Sequence, residues 1–307
     1  MHPIIRNALI SGGSGGGGAP AFIPIDLFQA SEQGVWHDPS DLSTMFQGSA
    51  GITQVTATGQ SLGLMLDKSK GLLLGAELSV NGDFSAGTTG WSGSGVTQSI
   101  VSGALRSVNT SSYGYCRVAS PITTVANKWY EVNFNFVTIS SVVTFRVGSY
   151  MDAEDAATKL ITSAAGLKKY YFQAVSTTTY FSFQLGAGIG EAFNLDDFSV
   201  KQIAGNHAKQ PTAAARPLSA LTGISKWVNY DEVDDALVTT FQSSLGSACT
   251  VARAVVGGAP VILTGQTIGT TFSDSTDNAG LVIVDRALTG QETTDLMAWL
   301  TAKGATS

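Results

Sequence analysis

Short runs of alternating apolar and polar residues follow one another through the middle of the chain, between positions 75 and 203. Eight such runs can be delimited: 96–101, 104–108, 114–118, 129–137, 142–147, 168–174, 179–185 and 194–202. A period of two residues is typical of strands with one buried face, and the Gly, Asn, Ser and Thr residues between the runs favour turns. This number of short strands predicts a jelly roll of two sheets.

The composition also indicates an all-β protein. Charged residues make up 13% of the chain, against about 25% in average soluble domains, and 35 residues are glycine. A length of 307 residues is sufficient for two domains, each with its own core. The two cysteines, Cys116 and Cys249, fall in different candidate domains. We expect buried thiols, and a disulfide between them is the alternative.

Several classes of partner are disfavoured. The net charge is −6 and Lys and Arg do not cluster, whereas nucleic-acid binding needs grouped cations. No apolar run approaches the roughly 18 residues of a membrane span, and the N-terminal apolar run is too short for a signal peptide. We therefore expect neither nucleic-acid binding nor membrane insertion.

No catalytic motif is present. The chain lacks the G-x-S-x-G, P-loop and H-E-x-x-H patterns. Neighbouring carboxylates, which glycoside hydrolysis requires, occur at Asp196–Asp197 and within 231–235. Adjacent residues of a strand point to opposite faces, so the first pair is not expected to act on one bond. We expect surface and turn carboxylates at both places, and no enzymatic activity.

The ends of the central segment carry a recognisable pattern. It opens with Asn81–Phe84 (N-G-D-F) and Gly90–Trp91, and it closes with Asp196–Val200 (D-D-F-S-V). These motifs resemble the first and last strands of jelly-roll carbohydrate-binding modules. The resemblance implies a module of that fold over residues 74–203.

The segments on either side resemble a different family. Gly34–Gln47, Asp67–Gly71 and Gly205–Pro217 resemble the laminin-G-like (concanavalin-like) sandwiches of tailed-phage and prophage structural proteins. In that family the last two form one continuous hairpin region. The resemblance therefore implies a discontinuous sandwich, residues 25–73 and 204–307, interrupted by the insert at 74–203. Glu232 departs from the family, which has glycine there, and this disfavours a tight turn.

The first 24 residues are interpreted as an arm and linker. The apolar positions that would anchor the arm to other virion proteins are Pro3, Ile4, Ile5, Leu9 and Ile10, and a flexible Gly/Ser stretch, 11–18, follows them. A disordered tail is the alternative.

A helix is predicted near the C-terminus. Thr289 and Glu292 have the spacing of a capping box, and Gly304 is a stop signal. Leu296, Trp299 and Leu300 form its apolar stripe. Such a helix also closes the phage laminin-G-like domains that the flanking segments resemble.

Sugar binding requires aromatic faces and polar partners for hydroxyl groups. Five residues of the insert are candidate glycan contacts: Tyr113, Tyr115, Trp129, Asn109 and Trp91. The two tyrosines, two positions apart on a predicted strand beside a polar loop, are preferred. By resemblance, Trp91 is more often a core residue.

Carbohydrate-binding modules of this type often hold a structural calcium near the first and last strands. Asp83 and Asp197 match those regions, whereas Ser85 stands where the family has an acidic residue. Calcium requires about six to eight oxygen ligands, so this substitution weakens the predicted site.

Together these observations predict an all-β virion protein, made in the host cytoplasm, with two sandwiches, an N-terminal arm and a C-terminal helix. As a tail fibre, spike or decoration protein it would attach the particle to host-surface glycans, as a homo-oligomer, most plausibly a trimer, because multivalency raises weak affinity. One alternative is a structural cement protein that binds no sugar. A second is a polysaccharide depolymerase.

Overall fold

A computed structural model describes residues 21–156, 160–222 and 225–304. The predicted all-β class is confirmed: these residues form antiparallel sheets and one C-terminal α-helix. No helix in these ranges is both long and apolar enough to cross a bilayer. The arm residues Pro3, Ile4, Ile5, Leu9 and Ile10 lie outside the described residues.

Two sheets are formed by the strands of the insert. The strands are β4 (Leu74–Glu77), β5 (Trp91–Ser94), β6 (Val96–Val101), β7 (Ala104–Asn109), β8 (Tyr115–Val118), β9 (Ile122–Thr123), β10 (Trp129–Ile139), β11 (Val143–Gly148), β12 (Leu160–Thr162), β13 (Gly166–Gln173), β14 (Thr178–Leu185) and β15 (Ala192–Ile203). The back sheet has the order β13-β10-β15-β7-β6, with β4 also paired to β15. The front sheet has the order β12-β11-β14-β8-β5, with β9 also paired to β14.

Aromatic side chains fill the space between the front and back sheets. The Phe183 ring, fully buried, has its centroid 4.8 Å from that of Phe145 and 5.1 Å from that of Phe134. Alternation along β10 and β14 sends every second residue into this core, as the period of two predicts.

The flanking sandwich combines strands from before and after the insert. The strands are β1 (Gly34–His37), β2 (Met45–Phe46), β3 (Leu64–Met65), β16 (Ala208–Lys209), β17 (Leu218–Thr222), β18 (Ser225–Asn229), β19 (Leu237–Thr240), β20 (Gly246–Arg253), β21 (Val261–Ile268), β22 (Thr271–Asp274) and β23 (Leu281–Val284). Its two sheets have the orders β1-β23-β20-β21 and β2-β3-β16-β19-β22, and the hairpin β17-β18 lies beside them. Short 3₁₀ helices lie at Pro24–Phe28, Leu42–Thr44 and Ala213–Ala215.

Asp67 holds the two halves of the flanking sandwich together at the neck of the insert. Its side chain is fully buried, and Oδ2 accepts a hydrogen bond of 2.7 Å from the backbone N–H of Asn206, across the insertion. Oδ1 accepts from the backbone N–H groups of Trp36 and Ser69 at 2.8 Å. Strand β3, which precedes the insert, pairs with β16, which follows it.

The back sheet packs against the flanking sandwich through an apolar interface. Trp129, Tyr171 and Ile203 of the insert meet Phe46 and Leu64 of the sandwich. The centroids of the Phe46 and Tyr171 rings lie 5.5 Å apart. Trp129 is 1% exposed, so its proposed role as a glycan platform is wrong: the ring belongs to this interface.

Both cysteines are free thiols, as expected. Cys116 lies in the core of the insert and Cys249 in that of the flanking sandwich. Burial raises the pKa of the Cys116 thiol to about 12, so the thiolate needed for oxidation is rare at neutral pH.

The C-terminal helix, α1 (Gly290–Gly304), has the predicted capping box. The backbone N–H of Glu292 donates to Thr289 Oγ1 at 3.2 Å, and the backbone N–H of Thr289 donates to Glu292 Oε2 at 2.8 Å. Leu296 and Leu300 are fully buried, as predicted, against the flanking sandwich.

Glu292 also forms a two-point pair with Arg286, with N–O distances of 2.7 and 2.9 Å. The guanidinium lowers the pKa of the Glu292 carboxyl to about 2. Since the folded pKa is depressed, this pair stabilises the fold above pH 4.5, and the contribution is lost as the pH falls towards 2. Glu292→Gln keeps the capping geometry and removes the charge. We expect a loss of about 1 kcal/mol at pH 7 after solvent screening, and a much smaller loss at pH 2.

Urea unfolding at both pH values measures this difference. Asp295→Asn is the matched control, because the Asp295 carboxylate bonds Gln291 on the same helix and not an arginine. Equal losses for the two variants would contradict the assignment to the Arg286 pair.

Glu232 adopts the left-handed conformation that the family's glycine would supply, with φ at +61°. The doubt that the sequence placed on this turn is therefore unfounded. The turn is held by Asp231, whose Oδ1 accepts from the backbone N–H groups of Val233, Asp234 and Asp235 at 2.9 to 3.2 Å. The strain at Glu232 is offset by these bonds.

We expect Glu232→Gly to stabilise the protein by about 0.5–1 kcal/mol, because glycine adopts positive φ without steric cost. Asp234→Gly, at a position without positive φ, is expected to destabilise it by a similar amount. Chemical denaturation of the wild type and the two variants measures whether each substitution raises or lowers the free energy of unfolding. A less stable E232G variant would refute the account of strain.

Candidate ligand face of the front sheet

The opening motif of the insert, Asn81–Trp91, has a structural role: its side chains fix a loop and fill the core. Asn81 Nδ2 donates to the carbonyls of Gly87 and Thr89 at 2.8 Å, which closes the loop before Trp91. Trp91 is 7% exposed, with its ring centroid 5.2 Å from that of Phe84. Its proposed glycan contact is therefore wrong, and the core role that the resemblance favoured is confirmed.

Asn109 is also structural. It is 2% exposed, and Nδ2 donates to the carbonyls of Gly186 and Gly188 at 2.8 and 3.1 Å. Oδ1 accepts from the backbone N–H of Gly114. With its amide committed to two loops, Asn109 does not have the free groups that a direct glycan contact requires, and that assignment is wrong.

The preferred tyrosines lie at the front sheet, but not as an alternating pair on one strand. Tyr113 precedes β8 in a turn with φ at +58°, and it is 57% exposed. Tyr115 is the first residue of β8, half-buried and on the face opposite to the buried Cys116. That face points away from the core of the insert.

Polar side chains cover this outward face. One cross-strand row contains Ser92, Arg117, Ser182 and Arg146, on strands β5, β8, β14 and β11. The next row contains Ser94, Tyr115, Gln184 and Thr144. The residues between them in sequence, such as Phe183 and Phe145, face the core. The ordinary strand period therefore builds a surface of hydroxyl, amide and guanidinium groups beside an aromatic ring.

Two arginines organise the face. Arg117 forms a bidentate ion pair with Asp152, in the loop after β11, and its guanidinium lies 4.6 Å from the Tyr115 ring centroid. Arg146 Nη2 donates to Gln184 Oε1 at 2.7 Å. The planar donor sets of both groups are held in place by neighbours, so the face is preorganised for polar recognition.

The centre of this face has unused hydrogen-bonding capacity. Arg146 Nε and Ser182 Oγ are buried and have no partner among the described residues. They lie on directly paired positions of β11 and β14. An unsatisfied buried polar atom costs about 1–3 kcal/mol, so a hydrogen bond from either atom to a ligand or water oxygen would stabilise the protein.

Sequence reasoning missed Arg117, Arg146, Ser182 and Gln184. It looked for aromatic residues and left aside the polar positions that alternate with core residues in 114–118, 142–147 and 179–185. That alternation could have identified them. Asp152 could not have been found in this way, because the loop conformation brings it to Arg117.

Asp83 and Asp197 line one surface cavity of about 420 Å³, together with Glu77. Asp83 Oδ1 accepts from the backbone N–H and hydroxyl of Ser85. Glu77 accepts from backbone and hydroxyl donors, and the Lys201 ammonium lies 3.9 Å from its Oε2. Oxygens that already accept hydrogen bonds, beside the Lys201 ammonium, are the wrong surroundings for calcium, so these residues do not fit the predicted site.

The second acidic stretch is explained by its turn. Carboxylate oxygens of Asp231, Asp234 and Asp235 lie within 4.8 Å of one another. Oxygens of Asp231 and Asp235 already accept backbone hydrogen bonds within the turn.

Asp197 sits at a bulge of β15 with φ at +54°, so the regular strand alternation expected for Asp196–Asp197 does not hold there.

No family model and no curated protein matches the chain. Among solved structures, a family 4 carbohydrate-binding module is similar at 14% identity, with a TM-score of 0.35 over 40% of this chain and 98% of the module. A family 61 module in complex with β-1,4-galactotriose is similar at 10% identity and a TM-score of 0.30, over 42% and 99%. An arabinose-bound family 51 α-L-arabinofuranosidase is similar at 19% identity and 0.31, over 47% and 30%. Likenesses at this level establish neither a family nor a function.

Proposed function

We propose that the outward face of the front sheet binds a saccharide of the host cell surface. The observation that carries this proposal is the pair of unsatisfied buried atoms, Arg146 Nε and Ser182 Oγ, at the centre of the face. Sugar hydroxyls can accept from the guanidinium and either donate to or accept from the serine. The 57% exposed ring of Tyr113, in the turn before β8, offers an apolar surface for the C–H groups of a pyranose.

We further propose that the chain is a structural protein of a tailed-phage or prophage-derived virion, in which the arm anchors it and the front sheet attaches the particle to host glycan. The sequence resemblance of the flanking sandwich supports the first part. A homo-oligomer, most plausibly a trimer, would raise the avidity of a weak single site. Catalysis is not part of the proposal, because the carboxylates at this face, Asp152 and Glu154, are each paired with an arginine.

The test is Arg146→Lys, which keeps the positive charge and removes Nε and the planar donor fork. We expect affinity for host-surface polysaccharide to fall by about tenfold to a hundredfold, the cost of one or two charge-assisted hydrogen bonds. Biolayer interferometry of the full chain on immobilised polysaccharide measures it. Arg106→Lys, the same substitution on the back sheet, is the control, and we expect it to bind like the wild type.

Equal binding by R146K and the wild type would remove this face as the site. If the folded wild type bound no host polysaccharide at all, the cement function would replace adhesion. New reducing ends after incubation would instead establish a depolymerase.

A further inference from the structure

Three polar side chains of the back sheet contact one another on the face turned away from the core of the insert. Glu131 and Asn133 alternate along β10 with the core residues Val132 and Phe134. Glu131 Oε1 accepts a hydrogen bond of 2.7 Å from Asn133 Nδ2, and Glu131 Oε2 lies 3.1 Å from Lys169 Nζ. One carboxylate thus contacts both an amine and a primary amide.

Asn133 and Lys169 are also direct cross-strand neighbours on β10 and β13. The backbone N–H of Tyr171, two residues further along β13, donates to the carbonyl of Ala50 at 2.9 Å and so points away from β10. Backbone groups alternate in direction along an antiparallel strand, so Lys169, like Tyr171, belongs to a non-hydrogen-bonded pair. In such pairs the Cα atoms are about 4.5 Å apart and the facing side chains are closest. The side-chain carbonyl carbon of Asn133 is therefore within reach of the lysine nitrogen.

The flanking sandwich shields the carboxylate from water. Glu131 is 5% exposed. Tyr171, opposite it on β13, is buried against Phe46, and a Cβ on Gly51 would lie 2.3 Å from its ring. A shielded ion pair carries a desolvation cost that the neutral acid and amine do not, which favours proton transfer from Lys169 to Glu131. The Lys169 side chain is half-exposed, so a small leaving molecule has a route to water.

We propose that Lys169 and Asn133 form an intramolecular isopeptide bond, with Glu131 as the proton carrier. Glu131 takes a proton from the ammonium, and the neutral amine nitrogen attacks Cγ of Asn133. The new N–C bond forms, a second amine proton moves to Nδ2, the Cγ–Nδ2 bond breaks, and ammonia leaves. The ammonia takes the proton from Glu131 and departs as ammonium, which regenerates the carboxylate. The reaction involves no oxidation and requires no co-reactant.

The bond closes a covalent loop that contains β11 and β12. Residues between 133 and 169 then cannot extend when the chain is pulled, because the two strands that bound them are joined. The saccharide face does not require this link, and the proposal is independent of the function of the front sheet.

Mass spectrometry of the denatured full chain tests the proposal. We expect the wild-type mass to be lower than the mass calculated from the sequence by one ammonia, and a digest to contain a branched peptide that joins residues 169 and 133. Lys169→Arg keeps a cation beside Glu131 but removes the nucleophilic amine, and this variant should have its full calculated mass. Glu131→Gln removes the proton carrier and should also have its full mass. Lys168→Arg, at the adjacent lysine, whose Nζ bonds the carbonyl of Ala165, is the control and should retain the loss of ammonia.

A wild-type mass equal to the calculated mass, in fresh protein and after storage, would overturn the proposal. A loss of ammonia that persists in K169R would also overturn it, because an asparagine would then have cyclised onto its own backbone without joining the lysine. Neither result changes the expected binding of saccharide, which is measured separately.

Discussion

Replacing Asp67 with alanine is expected to destabilise the flanking sandwich by about 4 kcal/mol. The change leaves the buried backbone N–H groups of Trp36, Ser69 and Asn206 without an acceptor, and each such orphan costs about 1–3 kcal/mol. Relief of a buried charge offsets part of this sum. Asp67→Asn keeps one acceptor oxygen and should lose about half as much.

The loss of unfolding free energy caused by Asp67→Ala should depend on pH. Burial raises the pKa of the Asp67 carboxyl from 3.8 to about 6. With a raised folded pKa, the stabilising contribution of this group is complete below pH 3.8 and is lost as the pH rises through 6. We therefore expect a larger difference between wild type and D67A at pH 5 than at pH 7.5.

Urea titrations at the two pH values measure this difference. Asp41→Ala removes the partly buried cap of a short 3₁₀ turn, together with its ion pair to Lys68, and serves as the control, with an expected loss of about 1 kcal/mol. A deficit for D67A no larger than that of D41A would show that Asp67 does not hold the neck.

Gly82→Ala is expected to destabilise the insert by about 3 kcal/mol. A Cβ at this position would lie 1.8 Å from the backbone carbonyl oxygen of Phe198. Because that oxygen belongs to the backbone, it cannot rotate away as a flexible side chain could. The same two residues are joined by a hydrogen bond of 3.0 Å from Phe198 N–H to the Gly82 carbonyl. The substitution forces the first and last parts of the insert apart, at the cost of overpacking and of this bond.

Thermal unfolding followed by tryptophan fluorescence measures this effect, and its signal includes Trp91, whose ring centroid lies 5.2 Å from that of Phe198. Gly269→Ala is the control, because nothing lies within 4 Å of its Cβ and its φ is not positive. A melting temperature for G82A equal to that of G269A would contradict the close approach.

The fold class and many of the elements could be predicted because local pattern decides them. Each of the eight runs of the insert contains most of a strand, such as 129–137 within Trp129–Ile139, and the cap of α1 is set by two side chains three residues apart. Strands such as β4 and β12 were missed. They are short, and pairing with β15 and β11 defines them more than their own sequence does.

The candidate site was predicted less well, for the same reason. The search for aromatic rings selected Trp91 and Trp129, and large aromatic residues are the ones that a core or an interface buries. A ring buried in a core can be told from a ring that binds sugar only when the residues that pack against its two faces are known, and the sequence does not give them. Tyr115, which alternates with the buried Cys116, was the candidate whose position followed from the strand period.

The neck of the insert has a mechanical consequence. The chain enters through Leu73 and returns through Ala204, and these residues are joined by a backbone hydrogen bond of 2.8 Å. A force pulling the front sheet away from the flanking sandwich is therefore shared by two adjacent chain segments, and the apolar interface around Trp129 must open before either segment is fully extended. A module joined by one linker would swivel and be loaded at a single point. Here the second chain segment and the apolar interface oppose such swivelling.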